Sequence, residues 1–402
     1  MEVVQGGVTA ASGFLASGVV ANIKGKGGTK RDVAIVASRI PCTAAGLYTT
    51  NRVQAAPVLV SRPRTQAGVL HAIVVNSGNA NACTGDQGLQ DATEMARLAA
   101  NELGVPEEQV AVCSTGVIGL ALPMARIRDG VVRAAAALVP DGGPLAAEAI
   151  LTTDTCDKQH AVRFDLDGVA VTVGGMGKGS GMIHPNMATM LGFVTTDAAI
   201  SAEALHEALR VATDRSFHAI TVDGDTSTND AVIALANGAA HNPLIQKGTP
   251  AFETFLVALQ QVLVVLAKAI ARDGEGATHL LEVVVRGARS EAEARTAARA
   301  VCGSSLVKAA VFGQDANWGR VLCALGYSTA TFSADEVDLW LGDVPLMAHG
   351  TPLPFDEQAA LRVLEQPTVT FTADLHAGAA QATAWGCDLT YKYVEINGAY
   401  RT

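Results

Sequence analysis

The chain has 402 residues, enough for one large α/β body or two packed domains, and 49% are hydrophobic against 17% charged. Aromatics are only 4% while glycine occurs 40 times, so the core must be closed by small side chains and close backbone approach. The net charge of -10 excludes an extended nucleic-acid surface, because the densest basic stretch, Lys24, Lys26, Lys30 and Arg31, is broken by glycines and reads as a solvated loop.

In chain order, segments 32–38 and 71–76 read as strands. Segment 91–103 has helical spacing and leads into a strand at 109–113. Segments 124–138 and 145–151 read as helices. Segments 161–166 and 169–173 form a hairpin pattern, with Asp167-Gly168 as the two-residue turn. A glycine-rich stretch, 174–186, then opens an apolar run at 189–196. Ser201 caps a helix at 202–213, with Glu203 in its first turn. Segment 252–271 is the most apolar helix, but Glu253, Gln260, Gln261 and Lys268 mark it as a buried helix of a soluble protein and not a membrane span. Ser290 and Glu293 have capping-box spacing. Strands are expected at 280–286, 337–341 and 369–373. Interleaved strands and helices give an α/β or α+β class.

Cys42, Cys83, Cys113, Cys156, Cys302, Cys323 and Cys387 are odd in number and contain no C-x-x-C, which fits reduced thiols in a cytoplasm. Met1-Glu2 opens without the basic and apolar regions of a signal peptide. Three site readings fail on detail. The phosphate loop needs Gly where Thr172 stands and Ser or Thr where Gly179 stands. A calcium loop starting at Asp223 and running through Asp225 and Asp230 needs Gly at Thr228 and Glu at Ala234. None of the nine His forms an H-x-x-x-H pair, so no metal site is expected.

The run Lys178-Gly179-Ser180-Gly181-Met182-Ile183-His184-Pro185-Asn186-Met187-Ala188-Thr189-Met190-Leu191 resembles the hallmark of the ornithine acetyltransferase family, whose bifunctional members are also glutamate N-acetyltransferases. The resemblance spans nearly the whole chain. It includes Asn76-Ser77-Gly78-Asn79-Ala80-Asn81, Ser114-Thr115-Gly116-Val117-Ile118-Gly119, Thr152-Thr153-Asp154-Thr155, the Asp- and Thr-rich run 221–230, Asp273-Gly274-Glu275-Gly276, the run 313–320 and the terminal run 396–402.

That resemblance implies self-cleavage between Ala188 and Thr189, giving an α chain of 1–188 and a β chain of 189–402 packed as an α/β fold of layered sheets between helices. A Thr hydroxyl is a weak nucleophile, and the freed α-amine of Thr189, with a reference pKa of about 7.7–8.0, would serve as its base. The family resemblance assigns the oxyanion hole to Thr115 and the backbone N–H of Gly116. It assigns substrate contacts to Thr155, Lys178, Thr189, Glu275, Asn397 and Thr402. Lys178 would meet an α-carboxylate and Glu275 the cationic end of ornithine. The implied reaction carries acetyl from N-acetylornithine to glutamate without a cofactor, in an α2β2 heterotetramer of cleaved chains. Whether acetyl-CoA also serves as a donor is left open by the sequence. A self-cleaving aminopeptidase and a non-enzymatic binding homologue are the alternatives. His184 is read as a packing residue and not as a base.

Overall fold

The computed structural model describes residues 1–184 and 190–399. The junction Ala188/Thr189 and the terminal Thr402 therefore lie outside the described residues.

The first sheet contains β1 (Glu2–Val3), β2 (Phe14–Val19), β3 (Val33–Tyr48), β4 (Val69–Asn79), β5 (Val110–Val117), β6 (Lys158–Leu166), β7 (Val169–Lys178), β8 (Leu191–Thr196) and β9 (Ala231–Ala236). Its order is β1-β6-β7-β8-β9-β3-β4-β5, with β2 paired to β3. The strand expected at 32–38 is only the first half of β3. A register shift between Ala37 and Cys42 bends β3, so residues 33–38 pair with β2 and residues 43–48 with β9. Alternation along β3 sends Val33, Ile35 and Ala37 into one core with helices Gly85–Leu103 and Met124–Ala136, and Ala34 and Val36 into a core on the opposite face.

The β6–β7 hairpin closes at Asp167 and Gly168, with φ of 53° and 84°, as a two-residue turn of the primed type requires. The glycine-rich stretch differs from a loop in its first half. Residues 174–178 continue β7 and pair with β6 on one side and β8 on the other. Gly174 is a steric necessity there and Gly175 is tightly packed. A Cβ on Gly174 would stand 2.0 Å from the Gly7 carbonyl oxygen, and one on Gly175 would press on Val262 and Leu266 of the long helix at 3.0 and 3.1 Å.

That helix, Pro250–Arg272, is long and apolar enough by composition to cross a membrane, but it buries Phe255, Leu259, Leu263 and Leu266 against the first sheet and against helix Ala202–Asp214. Ser201 Oγ accepts from Ala204 N at 3.3 Å, capping the latter helix. The expected capping box at Ser290 is half formed. Ser290 Oγ accepts from Glu293 N, while the Glu293 carboxylate turns to Thr331 N instead.

The second sheet comprises β10 (Leu280–Ala288), β11 (Asp338–Leu341), β12 (Val344–Ala348), β13 (Thr351–Pro352), β14 (Thr368–Asp374) and β15 (Ala380–Cys387), ordered β13-β12-β11-β14-β10-β15. Helix Glu291–Gly303 covers β10 and β15, burying Ala294, Ala298 and Val301. The architecture is α/β, with two sheets layered against helices. It places the C-terminal ends of β5 and β7, the 221–230 segment and the last helix, Tyr391–Ala399, around one cavity.

Candidate active site

A cavity of about 270 Å³ is lined by Thr115 and Gly116 at the end of β5, Thr152 and Thr153 after the short helix Gly143–Ala149, Lys178 at the end of β7, Glu275, and Tyr393 and Asn397 of the last helix. Asp223, Asp225 and Asn229 complete its wall.

The oxyanion-type corner rests on a distorted strand pair. Gly116 has φ +132°, and a Cβ there would stand 2.4 Å from the Gly78 carbonyl carbon, so this approach of β5 to β4 admits only glycine. The register shifts beside it, where Asn79 pairs with both Thr115 and Val117. Buried asparagines hold the distortion. Asn229 Nδ2 donates to the carbonyls of Ala80 and Ser114 at 2.6 and 2.9 Å, and Asn76 Nδ2 donates to Asn79 O at 2.9 Å. The Asn-rich turn at 76–81 and the 221–230 run thus brace the segment that carries Thr115.

The cationic wall is a buried charge network. Lys178 is 5% exposed; its Nζ donates to Thr152 Oγ1 at 2.8 Å and lies 3.7 Å from Asp154 Oδ2. Asp154 is the hub. It accepts from Lys158 Nζ at 2.8 Å, from Gly179 N at 2.6 Å and from Thr152 N at 3.0 Å. Lys158 also pairs with Asp273 at 2.6 Å. Burial alone would raise the Asp154 pKa, but Lys178 and Lys158 overcome it and hold the carboxyl below the ordinary carboxylate range.

Carboxylates line the same cavity. Glu275 is 7% exposed, its Oε2 accepts from Asn397 Nδ2 at 2.7 Å, and its backbone N donates to Ser180 O at 3.0 Å. A Cβ on Gly181 would stand 2.5 Å from the Glu275 carboxyl carbon, so any side chain there would push the Glu275 carboxylate out of place. Asp223 accepts from Met182 N and Ile183 N at 2.5 and 2.8 Å and from the Tyr393 hydroxyl at 3.3 Å, and burial pushes its pKa up. Asp223 therefore fixes the segment leading into residue 185. His184 Nδ1 lies 2.9 Å from Thr221 Oγ1, and burial, helped by Arg299, lowers its pKa to about 4, so the ring is neutral at physiological pH. At the end of the 221–230 run, the Asp230 carboxyl is raised well above its usual range by burial, and its Oδ2 has no hydrogen-bond partner among the described residues.

Of the residues singled out from the sequence, Thr115, Gly116, Lys178, Glu275 and Asn397 line this cavity. Thr155 stands apart from the lining: its backbone N donates to Asp273 Oδ2 at 3.0 Å and its hydroxyl bonds the same carboxylate. Ala188, Thr189 and Thr402 lie outside the described residues. Sequence reasoning gave no role to Thr152, Asp154, Asp223 or Tyr393. Thr152, Asp154 and Asp223 did stand in quoted motifs, but Lys178 and Gly179 reach Asp154 from the end of β7, and Met182, Ile183 and Tyr393 reach Asp223 from far along the chain, so spacing did not join them.

Among the described residues the arrangement provides the Lys178 cation, several carboxylates and the glycine-shaped end of β5 around a space of small-molecule size. Residues 15–402 match the model of the ArgJ family. The chain is 65% identical over 402 residues to the arginine biosynthesis bifunctional protein ArgJ of Symbiobacterium thermophilum, covering all of both chains. It is 49% identical over 406 residues to the protein of the same name from Caldanaerobacter subterraneus, again covering all of both. Among solved structures it is similar to the arginine biosynthesis bifunctional protein ArgJ of Bacillus halodurans, with 47% identity and a TM-score of 0.52, over 53% of this chain and all of that one. The chain belongs to the ArgJ family.

Proposed function

We propose that this member of the ArgJ family transfers acetyl from N-acetylornithine to glutamate through an acetyl-Thr189 intermediate, after cutting itself between Ala188 and Thr189. The observation that carries the reading is the cavity. It gathers Thr115, Gly116, a buried Lys178 and the Glu275–Asn397 pair around one space. An amino acid with a cationic side chain has matching charges: its α-carboxylate toward Lys178 and its δ-ammonium toward Glu275.

In the cutting step, the Thr189 hydroxyl attacks the Ala188 carbonyl, the acyl group moves from nitrogen to oxygen, and water hydrolyses the ester. Thr189 then carries a free α-amine. In turnover, that amine accepts the hydroxyl proton as oxygen attacks the acetyl carbonyl, and returns it to ornithine as the C–N bond breaks. The glutamate amine attacks the ester, takes the acetyl group, and restores the Thr189 hydroxyl. Thr115 and the Gly116 N–H stabilise the oxyanion in both halves. Thr402 at the chain end and Thr155 behind Asp273 complete the proposed substrate contacts, Thr155 acting through the Asp273 network. No cofactor is required; acetyl-CoA serves as a second donor. The cleaved α chain (1–188) and β chain (189–402) assemble as an α2β2 heterotetramer in the cytoplasm.

One comparison supports the cut. The solved Bacillus halodurans chain corresponds along its whole length to 53% of this chain, which is the share that residues 189–402 represent. The test is an intact-mass spectrum after brief exposure to N-acetylornithine. Two fragments split at Ala188/Thr189, with one acetyl group on the second, are expected. A single uncut mass without adduct would overturn the proposal, and release of free acetate without acetylglutamate would point to a hydrolase.

A further inference from the structure

A second cavity, of about 150 Å³, abuts the first and is lined by Lys24, Lys26, Lys30, Gly27, Gly28 and Thr152, among others. It lies entirely among described residues and has no part in the reaction derived above. On a chain of net charge -10, three ammonium groups gather here within seven residues. The Asp32 carboxylate also lines the space, but its two oxygens are taken by Ala21 N and Ile23 N, each at 2.6 Å. The loop is held in shape. Gly27 N donates to Asn22 Oδ1 at 3.0 Å, and Arg126 Nη1 donates to Asn22 O at 3.1 Å. Gly27 and Gly28 have positive φ with nothing within 4 Å of a would-be Cβ, leaving their backbone open to a close ligand. Burial lowers the Lys30 pKa, with Lys24 and Lys178 adding to that effect and Asp154 and Glu148 opposing it.

The two cavities share a wall. Lys30 Nζ donates to Thr152 O at 2.9 Å while Lys178 Nζ donates to Thr152 Oγ1 at 2.8 Å. Gly78 lines the lysine cavity, and its register partner Gly116 lines the other.

We infer that the lysine cavity binds the phosphates of a nucleotide-bearing acyl thioester, acetyl-coenzyme A in the simplest case, and directs its acetyl end into the neighbouring site. The inference rests on the proposed acetyl-threonyl chemistry. Lysine ammonium groups bind phosphate as point charges, and a phosphate lacking a planar partner does not require arginine. N-acetylornithine carries no phosphate, so this cavity would separate the two donors. In the thioester half-reaction the Thr189 hydroxyl attacks the thioester carbonyl, the C–S bond breaks, and the thiol leaves with the proton held by the Thr189 α-amine. The ester formed is the same one that N-acetylornithine gives.

The test uses the Lys24→Ser/Lys26→Ser double variant, which leaves Lys30 and Lys178 on Thr152. Calorimetric titration with adenosine 3′,5′-bisphosphate at fixed salt reads the cavity, and steady-state kinetics with each donor reads its use. Binding to the wild type is expected, weakened about tenfold or more in the variant, with a similar rise in KM for acetyl-coenzyme A. The N-acetylornithine reaction should stay within about twofold of wild type, the margin normal for surface changes. Absence of bisphosphate binding to the wild type would overturn the inference. So would an equal loss with both donors, or a rise in KM for glutamate instead, which would make this the seat of the acceptor's second carboxylate. Failure of the acetyl-threonyl reading itself is distinguishable, because the wild type would then gain no acetyl mass from N-acetylornithine.

Discussion

Asn397 Nδ2 donates to Glu275 Oε2 at 2.7 Å, fastening the last helix to the acidic wall of the cavity across 122 residues of sequence. Asn397→Ala should leave the fold intact, since the residue is exposed on that helix. It should raise the KM for N-acetylornithine about tenfold, the worth of one hydrogen bond to a charged group. Steady-state kinetics with both substrates varied would check this, and an unchanged KM would detach the helix from substrate binding.

Asp154 sits between two lysines, with its carboxyl depressed by them. Asp154→Asn should leave buried ammonium charge uncompensated and cost about 3–5 kcal/mol of stability, visible as a lower urea midpoint. The wild type should show a matching acid limb. Unfolded, the carboxyl binds a proton near pH 3.9; folded, only at lower pH. As pH falls below about 4 the unfolded state takes up the proton first, so stability present above that pH is lost. The variant should show a shallower acid limb, and an identical slope in both proteins would place the depression elsewhere.

Thr115→Ala should lower kcat by roughly 10²–10³ with little change in the thermal midpoint, as removal of one oxyanion donor does. Gly116→Ala should be worse on both counts, because its Cβ would collide with Gly78 at 2.4 Å. Equal turnover in Thr115→Ala and wild type would reject the oxyanion role.

His184 is half-buried with its pKa lowered to about 4. If the Thr189 α-amine is the base, the rise of kcat/KM with pH should follow an apparent pKa of about 7.7–8.0. His184→Asn should keep that limb in place. A limb near pH 4 instead, lost in the variant, would transfer the base role to His184.

Much of the local structure is legible in the chain, because turns and caps are short-range. Asp167-Gly168 supplies the positive φ that a two-residue hairpin needs, and Ser201 supplies the cap oxygen. Helix Ala56–Gln66 is absent from the expected elements; it carries Pro57 in its first turn, where no N–H is required, and Pro63 inside it. The stretch 174–178 looks like a loop because composition does not reveal the neighbours that crowd Gly174 and Gly175. At the site, Lys178 and Glu275 are legible through the family resemblance. The Asp154 hub is not, because its lysine partners and Asp273 come together only when β6, β7 and the end of the long helix meet.

The strand order has a consequence for manufacture of the molecule. β8 and β9 follow the Ala188/Thr189 junction in sequence, yet they lie between β7 and β3, which both precede it. A backbone break at the junction therefore leaves each piece hydrogen-bonded along two ladders to the other, like a plank nailed at both edges. Electrophoresis in detergent would resolve two bands while gel filtration in buffer recovers one species. Either piece synthesised alone would expose raw strand edges of the first sheet, so the gene should tolerate splitting at this point only when both halves are translated together.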